Sequence, residues 1–170
     1  FQFKLTVDLP TEDDERELLN RFDRDPELGP SQVQQTVSPR EVFQAREVVD
    51  AIHVEDSVKQ YILDIVRETR SRSDVEYGAS PRASLAFLNA AKARAAIRGR
   101  DYVIPDDVKA LAHPILGHRI VLSTEAELSD VTADDVVEAI KSSVSPPGSE
   151  DAPQPTAALG DGGVPDDRED

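Results

Sequence analysis

Helix-start punctuation constrains this chain's fold more than any other feature. Thr11, Ser38, Ser80 and Thr132 each stand where a short side-chain oxygen can close the first turn of a helix. Ser38-Pro39-Arg40-Glu41 is a capping box with proline at the first helical position, where its missing N–H costs nothing. Ser80-Pro81 opens a second such start. Ile104-Pro105-Asp106-Asp107-Val108 and Val131-Thr132-Ala133-Asp134-Asp135-Val136 are two similar starts that set acids at the positive dipole end.

Apolar residues follow these starts at helical spacing. Val42, Ala45, Val48, Val49 and Ile52 follow the first, and Val58, Tyr61, Ile62, Ile65 and Val66 form a stripe on the next helix, which ends in the basic run Arg67 to Arg72. The spacing predicts a further helix from Pro81 to about Arg98, stopped by Gly99, with Leu85, Leu88 and Ala95 facing the core. A shorter helix runs from Pro105 to about Ala112, with Pro114 breaking it. The last starts at Thr132, with Val136, Val137 and Ile140 as its apolar face. Ser71 to Gly78 reads as a polar loop, Asp25 to Val37 as another, and Tyr102-Val103-Ile104 as a short extended piece. Ahead of a short acidic helix from Thr11 through Phe22, Phe1 to Val7 alternates with the period of a half-buried strand. One strand is not stable alone, so it belongs to a sheet whose other strands are not in this chain.

The expected fold is therefore mainly α: a helical bundle preceded by one orphan strand. Three regions follow: 1–30, strand and short helix; 31–143, the helical domain; 144–170, a tail with seven acids against the single Arg168. Such a tail cannot bury enough apolar surface to offset its ordering entropy and is expected to be disordered. Opening on Phe1 in mid-strand, the chain reads as a fragment or a processed product.

Cysteine, methionine and tryptophan are absent, so the core is built mainly from Leu, Ile, Val and Ala, and no disulfide framework is possible. That suits a reducing cytoplasm. No apolar run is long enough to span a bilayer, and no signal-peptide pattern is seen. A net charge of −15 argues against nucleic-acid or anionic-membrane partners, which need basic surfaces. An acidic surface poor in lysine fits a halophilic protein working in concentrated salt, where screening removes self-repulsion.

The candidate site is Gly78-Ala79-Ser80-Pro81-Arg82-Ala83. Gly78 permits a turn, Ser80 is a good N-cap, and Pro81 suits the first helical position. Arg82 then lies in the first turn, beside backbone N–H groups at the positive end of the helix dipole. A cation there asks for an anionic partner, and a planar guanidinium beside a helix terminus suits a phosphate. An exposed arginine at a Ser-Pro helix start is, however, ordinarily just solvated.

The wider sequence gives this segment a more specific meaning. Gly78 through Leu85, then Ala90-Ala91-Lys92-Ala93, then Arg98-Gly99-Arg100-Asp101-Tyr102-Val103-Ile104-Pro105-Asp106-Asp107-Val108, closely resemble the C-terminal half of MoxR-type AAA+ ATPases. The resemblance runs from about Phe1 to Ile120. It implies that residues 1–30 are the end of the ATPase core and that 31–143 are its helical lid. It also implies that Arg82 is the sensor 2 arginine, contacting nucleotide phosphate, with Gly78, Ala79, Ser80 and Pro81 close by. The cofactors implied are ATP and Mg²⁺, held through the core. The partners implied are that core, neighbouring subunits of a ring oligomer and a protein bearing a von Willebrand factor A domain, in a chaperone-like remodelling machine.

No Gly-x-x-x-x-Gly-Lys-Ser/Thr occurs in the chain, so the phosphate cradle and the metal-holding hydroxyl are absent and this segment alone should not turn over ATP. Ser80 and Ser84 are capping and surface groups rather than nucleophiles. His53, His113 and His118 lack metal-ligand spacing, and Asp106-Asp107 and Asp134-Asp135 fit capping better than catalysis. His118-Arg119 matches a family pattern of unassigned mechanism. Lys92, Arg94, Arg98 and Arg100 form either a contact to the core or a neighbouring subunit, or a solvated face. The competing reading of the whole is a free-standing acidic helical interaction module without nucleotide chemistry.

Overall fold

A computed structural model describes residues 2–27 and 29–148. The order is α1 (Glu12–Arg24), a 3-10 turn (Pro30–Gln32), α2 (Pro39–Ala51), α3 (Asp56–Ser71), β1 (Val75–Tyr77), α4 (Pro81–Ile97), α5 (Pro105–Ala110), α6 (Ala112–Leu116), β2 (Val121–Leu122), α7 (Thr124–Leu128) and α8 (Ala133–Ser143). The fold is mainly α, as expected. Capping boxes close α1 at Thr11, α2 at Ser38 and α8 at Thr132, through hydrogen bonds to Asp14, Glu41 and Asp135. Gly99 ends α4 with φ +70°, the left-handed position that glycine tolerates, while the Arg100 N–H reaches the Ala95 carbonyl.

Helix α4 is central, packing on α2, α3, α5 and α6, while α8 closes the bundle over α3 and α6. The expected α3 stripe is buried, and Thr69 extends it by one turn at 0% exposure. On α4 the expected face holds at Ala95 and Leu88 and is corrected at Leu85. Ala83, Ala86, Phe87, Ala90, Ala91 and Ala95 are buried, Leu88 is partly buried, and Leu85 is 62% exposed. Alanine surrounds this helix on several sides, so apolar periodicity does not single out a face. Its small side chains let the neighbouring helices approach closely.

Four further expectations change. The first strand does not form: residues 2–11 carry no ladder, and Leu5, Val7 and Leu9 are exposed. A strand needs partners, which the described residues do not offer this segment. Instead the Lys4 N–H bonds the Pro114 carbonyl at 3.2 Å. Second, Pro114 does not break a helix. The chain turns at Leu111, and Pro114 lies in the first turn of α6, where its missing N–H is no loss. Third, the apolar face of α2 is largely uncovered, with Val42 and Val48 exposed and only the capping residue Ile52 buried beyond its end. Fourth, the Ser71–Gly78 loop contains β1, which pairs antiparallel with β2 through Val75↔Leu122 and Tyr77↔Val121. The extended piece at Tyr102 does form, bridging to His53. Most of the tail expected over 144–170, and Phe1, lie outside the described residues.

Candidate functional site

The short ladder of β1 and β2 builds the site. It ties the connection before α4 to the one after α6, so two segments some forty residues apart meet: Gly78–Arg82 and His118–Arg119. Between them lies an open groove of about 630 Å³, lined by Gln2, Ser80, Arg82, Leu85, Ala86, Asn89, His118 and Arg119. Among the described residues no carboxylate lines it, in a chain with 34 acidic residues. A cleft walled by one sign of charge attracts the opposite sign.

The loop carrying Arg82 is clamped onto the end of α3. The Thr69 hydroxyl donates to the Val66 carbonyl at 2.7 Å and accepts from the Ala79 N–H at 2.9 Å. The Arg70 Nε donates to the Ala79 carbonyl at 2.7 Å. Ala79 is fully buried. Gly78 is required by this close approach rather than by a left-handed turn. A Cβ there would overlap the Thr69 carbonyl and come within 2.7 Å of the Arg70 Cγ. Ser80 occupies the N-cap position of α4, but its side chain makes no capping bond, which corrects the expected role. Pro81 sits in the first turn as expected. Arg82 is exposed, and among the described residues it makes no hydrogen bond or ion pair.

Opposite it, Arg119 is held. Its Nε donates to the His118 Nε2 at 3.2 Å and its Nη2 to the Gln2 carbonyl at 3.3 Å. Burial first, then the charges of Arg119 and Lys4, push the His118 imidazole below its ordinary pKa. That favours the neutral ring, whose Nε2 can accept. Its Nδ1 is buried and has no well-formed hydrogen bond.

The remaining candidates resolve into structure. Asp107 is 2% exposed, accepts the Ile104 N–H at 3.1 Å, and takes both arms of the Arg100 fork at 2.8 and 2.9 Å. Arg94 approaches it at 3.3 Å. Burial raises the Asp107 pKa, but the Arg100 bonds, the Ile104 N–H and the two cations outweigh it and hold the carboxyl below its usual range. So part of the basic run Lys92–Arg100 is neither a partner surface nor a solvated face. Lys92 likewise donates to the Asp50 carbonyl. His113 joins α6 to α8 through Asp134 at 3.2 Å and Glu138 at 2.7 Å. Among the described residues, no cluster of three His, Cys, Asp or Glu side chains could hold a metal. Nor is any helix long and apolar enough to cross a membrane. Thr69, Arg70 and Asp107 are the positioning residues that pattern reading missed or took for simple caps.

Comparison with known proteins agrees with this architecture. Residues 67–140 match the family model described as AAA lid domain. The chain is 38% identical over 149 residues to the uncharacterised protein YeaC of Bacillus subtilis, covering 86% of this chain and 45% of that one. It is 32% identical over 163 residues to the chaperone MoxR1 of Mycobacterium tuberculosis, covering 91% of this chain and 42% of that one. A crystal structure from Cytophaga hutchinsonii, described as a candidate ATPase, superposes with a TM-score of 0.75 at 31% identity, covering 86% of this chain and 46% of that one. The fold is thus that of an AAA lid. The chain belongs to the MoxR-type AAA+ ATPases, of which it represents the C-terminal portion, and it spans about half the length of the curated relatives it matches.

Proposed function

We propose that this lid supplies a sensor 2 arginine, Arg82, to the terminal phosphate of ATP held by a AAA+ core. The single observation that carries the reading is the groove: Arg82 stands exposed at the start of a 17-residue helix, in a concavity whose charged and amide lining includes no carboxylate among the described residues. A guanidinium fork beside helix N–H groups stabilises charge on phosphate oxygens, and it needs no rearrangement when its loop is already clamped. Thr69, Arg70 and the buried Ala79 provide that clamp. Gly78, Ala79, Ser80 and Pro81 are then structural neighbours of the nucleotide rather than reacting groups.

The residues lining the groove suit phosphate but not Mg²⁺, because none is a carboxylate. The metal, the phosphate cradle and the water-activating group are therefore assigned to surfaces outside this chain. The largely uncovered faces of α1 and α2 support a lid that docks on further protein, which we take to be the core and neighbouring subunits of a ring. On this reading the lid angle follows the nucleotide state, and the machine remodels protein clients as a chaperone, with a von Willebrand factor A domain protein as its expected partner.

The test is Arg82→Ala in an intact ATPase carrying this lid. Turnover is expected to fall at least about tenfold, as for the loss of one phosphate-directed contact. Near-normal hydrolysis would refute the assignment.

A further inference from the structure

We propose that the groove between α2 and α4 receives helix α1 of a second copy of this chain. The proposal rests on the reading of α1 and α2 as docking faces in a ring, and is independent of the reading of Arg82.

The groove measures about 920 Å³. Its apolar lining includes Val42 and Val49 on α2, Leu88 and Ile97 on α4, and Phe3 from the extended segment ahead of α1. Ile97 is 84% exposed, a large side chain that its own chain leaves uncovered. Arg46, Lys92, Arg94 and Arg98 also line the groove, against Asp50 as the single carboxylate among the described residues that do so. Arg94 is committed to Asp107. Arg46 and Arg98 are exposed and form no ion pair among the described residues. In a chain with 34 acids and 19 lysines and arginines, this is a local inversion of charge around an apolar surface.

Helix α1 has the opposite character. Leu18, Leu19 and Phe22 share a face with Glu15, the i, i+3, i+4, i+7 spacing of a helix that lies in a groove. Six carboxylates stand on α1 against three arginines. No residue of this helix is buried, and none lines the groove of its own chain. Its capping box at Thr11 and the Glu12–Arg16 pair form without help from the apolar stripe. The helix is thus presented ready-made, which lowers the ordering cost of docking.

Apolar stripe and apolar groove therefore match, and so do the signs of the charges around them. Every copy carries both halves on separate elements, so α1 of one copy on the groove of the next makes a head-to-tail contact. Such a contact repeats around a ring when the rotation closes. The net charge of −15 makes two copies repel at long range, but at about 0.15 M salt that repulsion is screened beyond about 8 Å. Charges beside a docked stripe act at shorter range, where the local complementarity decides.

The test uses an intact ATPase carrying this lid at about 0.15 M salt, with any core cysteine replaced; this chain has none of its own. Phe22→Cys and Ile97→Cys are introduced together and joined with a short bis-maleimide. Cross-links between copies are expected, and co-assembly with an excess of cysteine-free copies should abolish them. A cross-link that survives this dilution would make the copy's own α1 the occupant and overturn the proposal. Absence of any cross-link also overturns it. In that case, thiols protected from a monofunctional maleimide would leave the docking faces covered by something else. Freely labelled thiols would refute the docking faces as well.

Complementary variants sharpen the result. L18S/F22S removes the stripe and V42S/I97S alters the groove, all at exposed positions, so thermal midpoints should change little. Each alone should assemble at least about tenfold more weakly, while an equimolar mixture should recover pairs, because each copy keeps the half that the other lost. R46E/R98E should weaken assembly, and E15K/D23K in the neighbouring copy should restore it. Mixtures that recover nothing overturn the proposal. Arg82→Ala should lower turnover and leave the cross-link unchanged, which separates this contact from the Arg82 reading.

Discussion

Arg94 and Arg100 converge on a carboxylate inside the chain, whereas Arg82 and Arg119 line a groove to which the described residues contribute no carboxylate. The two pairs have the same side chains and lie on the same bundle, yet they do different work. Asp107 is only 3% exposed at its side chain and would be a costly buried charge by itself, so two guanidinium groups and a backbone N–H are directed at it. The groove beside Ser80 is open, so water and salt screen Arg82, which makes no ion pair among the described residues. An arginine whose anion is built in stabilises the fold. One whose anion must come from outside is available for binding.

The comparison predicts unequal consequences. The largest is Asp107→Ala, which leaves the Arg100 fork without its carboxylate and removes the cap on Ile104. We expect a loss of about 3 kcal/mol, reduced from the fully buried case by partial solvation of Arg100, measured by denaturant unfolding. The same residue has a pH signature. Its folded pKa lies below the unfolded value of about 3.9, so its contribution is fully present above that value and is lost as pH falls through the folded pKa. Acid unfolding of D107N should be correspondingly less steep. A D107A chain as stable as the original would erase the distinction between the two arginine pairs.

Next in size is Gly78→Ala, expected to cost about 1–3 kcal/mol because the added methyl collides with the Thr69 carbonyl, a backbone atom that cannot swing away. Its second effect should be to displace Arg82, so turnover of an intact ATPase carrying this lid should fall together with stability. The smallest effect on stability is Arg82→Gln, expected within about 0.5 kcal/mol, since the residue is exposed and removing a cation from a helix N-terminus is mildly favourable. A large destabilisation there would show that Arg82 serves the fold, as Arg100 does.

Much of the scaffold was legible along the chain because its signals are local. Capping boxes at Ser38 and Thr132, Pro81 in a first turn and Gly99 at a helix end depend on neighbours within four residues. The α3 stripe was equally plain because Val58, Tyr61, Ile62, Ile65 and Val66 fall at one period. Its continuation, Thr69, was not, since burial of a hydroxyl depends on partners at Val66 and Ala79. The α4 face was legible at Leu88 and Ala95 but not at Leu85, because an alanine-rich helix carries little periodic contrast. The α2 stripe was read correctly as apolar, but periodicity does not reveal whether anything covers it.

The candidate site divides in the same way. Arg82 could be singled out from six consecutive residues, since a loop, a proline and a helix start are properties of neighbours. Its setting could not. That Gly78 is needed for contact with α3, that Ser80 does not cap, and that Asp107 absorbs Arg94 and Arg100 are all consequences of packing. Sequence by itself determined the longer helices, most of their starts and the arginine at the start of α4, but not the short helices α6 and α7, because hydrogen-bond closure within a turn is short-range chemistry. Only the tertiary structure decided which arginines share a groove. That depends on a ladder between Val75–Tyr77 and Val121–Leu122, whose partners are separated by more than forty residues and have no local signal for each other.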